Sequence, residues 1–227
     1  MEFNIIIKNS SLFDIIFSAI VIIVFLPLGL VIVLILLSTS EGEVFYKQSR
    51  IGQYGEQFGI YKFATMIKDS PNLGAGDITL KEDSRVLPFG KILRKLKLNE
   101  FPQFLNVLLG DMSIVGPRPL VENQFNMIPD NYKKKIIMLK PGITGIGSLV
   151  FRNEEKYLHS DVNDSNDFYK NEIVPFKASL ECWYHDNSSI FVDILVVIIT
   201  AIMVVKPNLN LHNHCFSGLP KHDLFNL

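Results

Sequence analysis

Residues Lys97 to Leu120 read KLNEFPQFLNVLLGDMSIVGPRPL and place two polar groups, Asn99 and Glu100, directly before Phe101-Pro102. Proline is favoured at the first position of a helix, where its missing N–H would be unpaired anyway. Phe104, Leu105, Val107, Leu108 and Leu109 then recur at helical spacing, which predicts a helix with one buried face and its amide-rich end beside Asn99 and Glu100. Such an end attracts anions, phosphates above all. Lys91, Arg94, Lys95 and Lys97 lie upstream, and downstream Gly-Pro-Arg-Pro at 116–119 holds Arg118 between two stiffening prolines. A carboxylate among cations at a helix N-terminus fits a diphosphate held with a divalent ion. A capped helix with a solvated basic face has the same spacing.

Upstream, Ile15 to Leu37 carries no charged residue, with Ser18, Pro27 and Gly29 inside the run. About 23 residues at ~1.5 Å per residue reach ~35 Å, enough for a hydrocarbon core of ~30 Å. A cleaved signal peptide would have a shorter apolar part and small residues at its end, so residues 1–40 are expected to form a retained membrane anchor. Pro27 removes a mid-helix hydrogen bond and predicts a kink. A kinked helix can cross the bilayer or turn back, and Lys8 against Lys47 and Arg50 is too small a bias to decide by charge.

Length and charge set the rest of the frame. At 227 residues one sizeable core is expected, and a formal net charge of −1 argues against a general nucleic-acid binder. Two cysteines, Cys182 and Cys215, argue against a disulfide framework.

Val44 to Tyr61, aromatic and β-branched with glycines at 52, 55 and 59, predicts short strands and turns. A Gly- and Asp-rich loop follows from about 69 to 83, and its Gly-Ala-Gly-Asp is too isolated to be a nucleotide fingerprint. From Arg85 to Lys97 the pattern is a basic amphipathic helix, suited to an anionic membrane surface or to a core with one wet face. Lys133-Lys134-Lys135 is a solvated face or a headgroup contact. Lys140 to Gly145 predicts a tight turn, where Thr144 either donates to a phosphate or caps the turn. Residues 153–171 form an acidic surface loop. The apolar run 190–205 is marginal for spanning, and the tail 206–227 has a His212/His214/Cys215 cluster without the second half of a zinc site.

The motifs resemble those of the bacterial sugar transferases, the monotopic phosphoglycosyl transferases that act on polyprenyl phosphate. The resemblance is carried by Asn99-Glu100-Phe101-Pro102-Gln103, Asn106-Val107-Leu108, Gly110-Asp111-Met112-Ser113, Gly116-Pro117-Arg118-Pro119 and Lys140-Pro141-Gly142-Ile143-Thr144-Gly145. It extends to the anchor, to Val44–Gly52, to Lys62-Phe63 and to Arg152. It implies a helix-dominated α/β fold: a re-entrant membrane helix, a compact cytosolic catalytic domain over 41–205, and amphipathic helices at the interface. The activity it implies is transfer of a phosphosugar from a UDP-sugar to polyprenyl (undecaprenyl) phosphate with Mg²⁺, releasing UMP, on the cytoplasmic face of the bacterial inner membrane. This would be the first step of a lipid-linked O-antigen, capsule or exopolysaccharide unit. Membrane lipids are the surroundings implied; a homodimer and downstream glycosyltransferases are candidate partners between which the sequence does not choose.

By the same resemblance Glu100 helps hold the metal, and Lys62, Arg94, Asp111, Arg118, Thr144 and Arg152 contact substrate. The position of the family's nucleophilic Asp is occupied by Asn99, a neutral amide without the charge to attack phosphorus. Ala64 replaces an Arg, Leu26 replaces the Ser of a Ser-Pro pair, and Ser148 stands near a usual Gln. Three readings of Asn99 stay open: an engineered trap, a natural variant in which Glu100 or water attacks, and a catalytically impaired homologue acting as a binding or assembly partner.

Overall fold

The computed structural model describes residues 2–39, 43–72, 83–152, 167–206, 211 and 215–225. Most of the Gly-rich loop, the acidic loop as far as residue 166, and His212 and His214 lie outside the described residues. The chain is helix-dominated, with two small sheets.

Helix α1 runs Glu2–Thr39 with Pro27 inside it. Its 28-residue stretch Leu12–Thr39 is long and apolar enough to cross a membrane. Asp14, Ser18, Ile32 and Leu36 are nonetheless buried. At 3.6 residues per turn they fall on one stripe, together with Phe25 and Gly29. Every part of that stripe meets the domain: Asp14 accepts from Ser113 Oγ at 3.0 Å and Ile114 N at 2.9 Å. Phe25 packs on Phe101 with ring centroids 5.5 Å apart, and Ile32 and Leu36 join Phe63 and Leu93. The other faces expose Ile16, Ile20, Ile23, Val24, Val31 and Leu34.

The strands and turn expected over Val44–Tyr61 form one hairpin, β1 (Phe45–Ile51) antiparallel to β2 (Gln57–Phe63), with Phe45 opposite Phe63 and Ile51 opposite Gln57. Its turn requires left-handed backbone, taken by Tyr54 (φ 60°) and Gly55 (φ 79°). The tip is pinned by Tyr54 N to Ile137 O at 2.6 Å, and the end of β1 by Ile51 N to Leu120 O at 2.9 Å.

Helix α2 (Pro88–Lys95) follows, with Leu93 buried and Ile92 exposed, and Leu96 just beyond it is exposed as well. The segment is thus amphipathic, with an apolar outer edge at Ile92 and Leu96 beside the buried Leu93. Lys97 then takes a left-handed conformation (φ 59°), and Leu98–Glu100 forms a 3₁₀ turn ahead of α3 (Gln103–Leu109). The helix expected to open at Pro102 opens one residue later, with Asn99 and Glu100 a turn ahead of it. Only seven residues long, α3 has a small dipole, so the electrostatics around Glu100 come mainly from side chains.

Asn106 locks α3 to the hairpin. Fully buried, it accepts from Tyr61 N at 2.9 Å and donates to Gly59 O at 2.8 Å.

The segment expected as a tight turn at 140–145 contains a strand. β3 (Ser113–Val115) and β4 (Gly142–Thr144) are parallel, with Ser113 paired to Gly142 and Val115 to Thr144. Glycine and proline signal turns, yet here the glycines serve close backbone approach: a Cβ at Gly116 would overlap Lys140 O, and one at Gly145 would overlap Gly116 O. Short helices α4 (Glu122–Asn126), α5 (Asp130–Ile136) and α6 (Ile146–Val150) lead to α7 (Val174–Asn187) and α8 (Ile190–Val205). In α5, Lys133 pairs with Asp130 and Lys135 with Asp186, so two of the three lysines have acidic partners. Helix α8 buries Val196, Ile199 and Met203 and exposes Phe191, Ile194, Ile198 and Val204, packing in the core by one face only.

Candidate active site

Two cavities meet beside the 3₁₀ turn. One, about 750 Å³, is lined by Lys47, Arg50, Lys62, Thr65, Arg94, Lys97, Asn99, Glu100 and Arg118. The other, about 800 Å³ and mostly apolar, shares Lys97, Glu100 and Arg118 with the first.

Each cation is delivered by a different element. Lys62 comes from β2 and faces Glu100; burial lowers its ammonium pKa to about 8 against the opposing pull of Glu100, and Arg50, Arg118 and Arg94 lower it further. Arg94, in the last turn of α2, donates from Nε to Thr65 Oγ1 at 2.9 Å. Burial lowers its pKa as well, opposed by Asp83 and Glu100. Because α2 approaches so closely that a Cβ at Gly90 would strike Thr65 O, little slack remains between Arg94 and the end of the hairpin.

The interlock of β3 and β4 fixes the loop bearing Arg118: Gly142 N donates to Pro117 O at 2.8 Å and Gly116 N to Thr144 O at 2.9 Å. Arg50 adds a donation to Pro119 O at 3.2 Å. The Gly-Pro-Arg-Pro and Lys-Pro-Gly-Ile-Thr-Gly motifs, 24 residues apart at their first residues, Gly116 and Lys140, are thus neighbours in one small sheet.

Of the residues singled out from sequence, Lys62, Arg94, Asn99, Glu100 and Arg118 share the polar cavity. Thr144 and Arg152 line the apolar one, where Thr144 Oγ1 lies 2.8 Å from Thr200 Oγ1. Asp111 lines neither; exposed at the end of α3, it accepts from Asn106 Nδ2 at 3.3 Å. Thr65, Lys177 and Glu181 were not anticipated. For Glu181 a signal existed: a carboxylate between Leu180 and Cys182 on a helix whose other core positions are Phe176 and Tyr184.

Chemically, the polar cavity suits a polyanion. Lysines supply point charges and arginines planar forks, and of the carboxylates lining it, Glu43, Asp69 and Glu100, it is Glu100 that also borders the second cavity and could share a hard cation with phosphate oxygens. Among the described residues no group of three or more His, Cys, Asp or Glu side chains is placed to hold a metal. A divalent ion at Glu100 would need oxygens of a bound substrate to complete its coordination.

Comparison with known proteins gives the family. The bacterial sugar transferase family profile matches residues 5–207. The exopolysaccharide production protein ExoY of Rhizobium meliloti (strain 1021) is 30% identical over 199 residues, covering 82% of this chain and 80% of that protein. The UDP-N-acetylgalactosamine-undecaprenyl-phosphate N-acetylgalactosaminephosphotransferase of Aeromonas hydrophila is 35% identical over 188 residues, 81% of this chain but 40% of that protein. The undecaprenyl-phosphate galactose phosphotransferase of Salmonella typhimurium is 30% identical over 208 residues, again covering 40% of its length. With the apolar stretch Leu12–Thr39, the hairpin and the paired strands β3 and β4 all inside the matched region, the chain belongs to the bacterial sugar transferase family.

Proposed function

We propose that the chain transfers a sugar phosphate from a UDP-sugar to undecaprenyl phosphate at the cytoplasmic face of the bacterial inner membrane. The observation that carries this reading is the convergence of Lys62, Arg94, Arg118 and Glu100 on one cavity beside an apolar helix. The cations bind and orient the diphosphate and lower the repulsion met by an anionic nucleophile. Mg²⁺, held by Glu100 and substrate oxygens, would add Lewis-acid polarisation at the phosphoryl oxygens. Contacts of α1 with the domain from Asp14 to Leu36 support entry and exit of this helix on one membrane face.

Asn99 offers no anionic oxygen at the position from which the family's Asp attacks. Glu100, adjacent and in the same cavity, is the nearest carboxylate in sequence. The second reading, a catalytically impaired homologue that binds nucleotide sugar or a partner enzyme, rests on Asn99 alone.

UMP release from a panel of UDP-sugars, with undecaprenyl phosphate and Mg²⁺ in nanodiscs, tests both. The unaltered chain is compared with Asn99→Asp and Glu100→Gln. Turnover that appears only with Asn99→Asp identifies an intact scaffold blocked at one atom. Turnover by the unaltered chain that Glu100→Gln abolishes, with UDP-sugar still bound, is consistent with attack or metal holding by Glu100. No turnover from either the unaltered chain or Asn99→Asp, with UDP-sugar still bound, leaves the binding role.

A further inference from the structure

Helix α7 carries Glu181 into the wall of the apolar cavity. The carboxylate is sealed from solvent, and among the described residues its Oε2 has no hydrogen-bond partner. Its other oxygen crowds Gly147 so closely that a Cβ there would overlap it. Burial pushes its pKa up to about 7, opposed by the Gly147 amide and by Lys177. A buried carboxylate without a full set of partners is costly to retain, which directs attention to a ligand that completes it.

The position of the cavity says which part of a ligand that is. Lys97, Glu100 and Arg118 border both cavities, so a diphosphate held there has one cavity on either side. The side rich in Lys47, Arg50, Lys62 and Arg94 is polar. The other is lined by Phe151 and Tyr169 and by Val197, Ala201 and Val204 of the half-exposed α8. In transfer to a membrane acceptor the nucleotide departs and the sugar stays with the lipid, so the sugar belongs on the side of the membrane-facing helices. Apolar walls suit the C–H faces of a pyranose, and sparse polar groups suit its edge.

Resting on the transferase reading above, we propose that the apolar cavity is the sugar subsite of the donor and that Glu181 is a specificity-determining residue, accepting a hydrogen bond from a hydroxyl or amide N–H of the sugar.

The test measures binding of UDP and of several UDP-sugars, with Mg²⁺, to the full chain in nanodiscs, for the unaltered protein, Glu181→Gln and Glu181→Ala. The expected result is UDP affinity within about twofold of the unaltered chain in both variants, which also reports an intact fold. UDP-sugar affinity falls tenfold or more in Glu181→Ala, and the rank order of sugars changes in Glu181→Gln, a signature a merely structural role would not give. Equal loss for UDP and UDP-sugars places Glu181 at the nucleobase or in the fold and overturns the proposal. Unchanged binding throughout overturns it too, leaving the transferase reading intact. An unaltered chain that binds no UDP-sugar overturns both.

Discussion

The Nε of Arg94 and the Oγ1 of Thr65 lie 2.9 Å apart, joining the last turn of α2 to the residue two past the end of the hairpin. This contact fixes the Nε edge of a guanidinium that lines the cationic cavity. Thr65→Val keeps the shape and removes the acceptor, so UDP affinity is expected to fall three- to tenfold with little change in thermal unfolding. Arg94→Lys should lose more, because an ammonium has no fork to share between Thr65 and a phosphate. Equal affinity of Thr65→Val and the unaltered chain, by calorimetry, would show that the contact does not aim Arg94.

Lys62 predicts a pH dependence of nucleotide binding. Its folded-state pKa of about 8 lies below the ordinary 10.5, so its charge is lost as pH rises through about 8. UDP affinity is expected to fall over that interval and to lose this inflection in Lys62→Arg, which stays charged. Stability moves oppositely: the unfolded chain binds the extra proton between about 8 and 10.5, so this residue's contribution to folding rises with pH across that window.

Glu181 has the reverse sign. Its folded pKa, about 7, is raised above the ordinary 4.5, so its contribution is fully present below 4.5 and is lost as pH climbs through about 7. The loss is on the order of 3 kcal/mol. Melting curves of the unaltered chain and Glu181→Gln, taken between pH 4.5 and 7.5, should therefore diverge in favour of the variant as pH rises. Parallel curves would count against a buried ionisable group.

Asn106→Leu strands the Tyr61 N–H and the Gly59 carbonyl, two half-buried backbone groups, and is expected to cost about 1–3 kcal/mol of stability. Asp111→Ala removes only an exposed contact at 3.3 Å and should cost under about 1 kcal/mol. Denaturant unfolding in detergent separates the two. The comparison also bears on Asp111 itself: a large loss of activity in Asp111→Ala without loss of stability would restore it as a substrate contact.

Lys97 combines strain with a place at the junction of both cavities. A left-handed non-glycine residue costs roughly 1–2 kcal/mol, offset for glycine by roughly 0.5–1 kcal/mol of backbone entropy. Lys97→Gly should accordingly melt no lower than the unaltered chain while binding UDP several-fold more weakly. A lower melting temperature would show that the lysine relieves more strain than it causes.

Much of this was legible in the sequence, for identifiable reasons. The long apolar helix and the strands β1 and β2 announce themselves through uninterrupted apolar residues and through aromatic stretches punctuated by glycine, both local signals. Lys62, Arg94, Asn99, Glu100 and Arg118 could be gathered only because their motifs are familiar; nothing in spacing alone brings residues 62 and 118 together. Strand β4 was hidden because its glycines have the composition of a turn, while their use is contact with Gly116 across the sheet. Thr65 was hidden because its partner, Arg94, is distant in sequence, and Glu181 showed only as a carboxylate among apolar helix positions, with nothing to point to its neighbour Gly147.

Asp14 receives two hydrogen bonds from β3, and β3 leads directly into the loop of Arg118. Deleting the first 40 residues to obtain a water-soluble fragment would leave the Ser113 hydroxyl and the Ile114 amide without their acceptor and would bare Phe63 and Leu93, on which Ile32 and Leu36 rest. Packing of α1 against the domain and ordering of the Arg118 loop are consequently coupled: a chain stripped of this helix loses the acceptor that holds the strand leading into that loop.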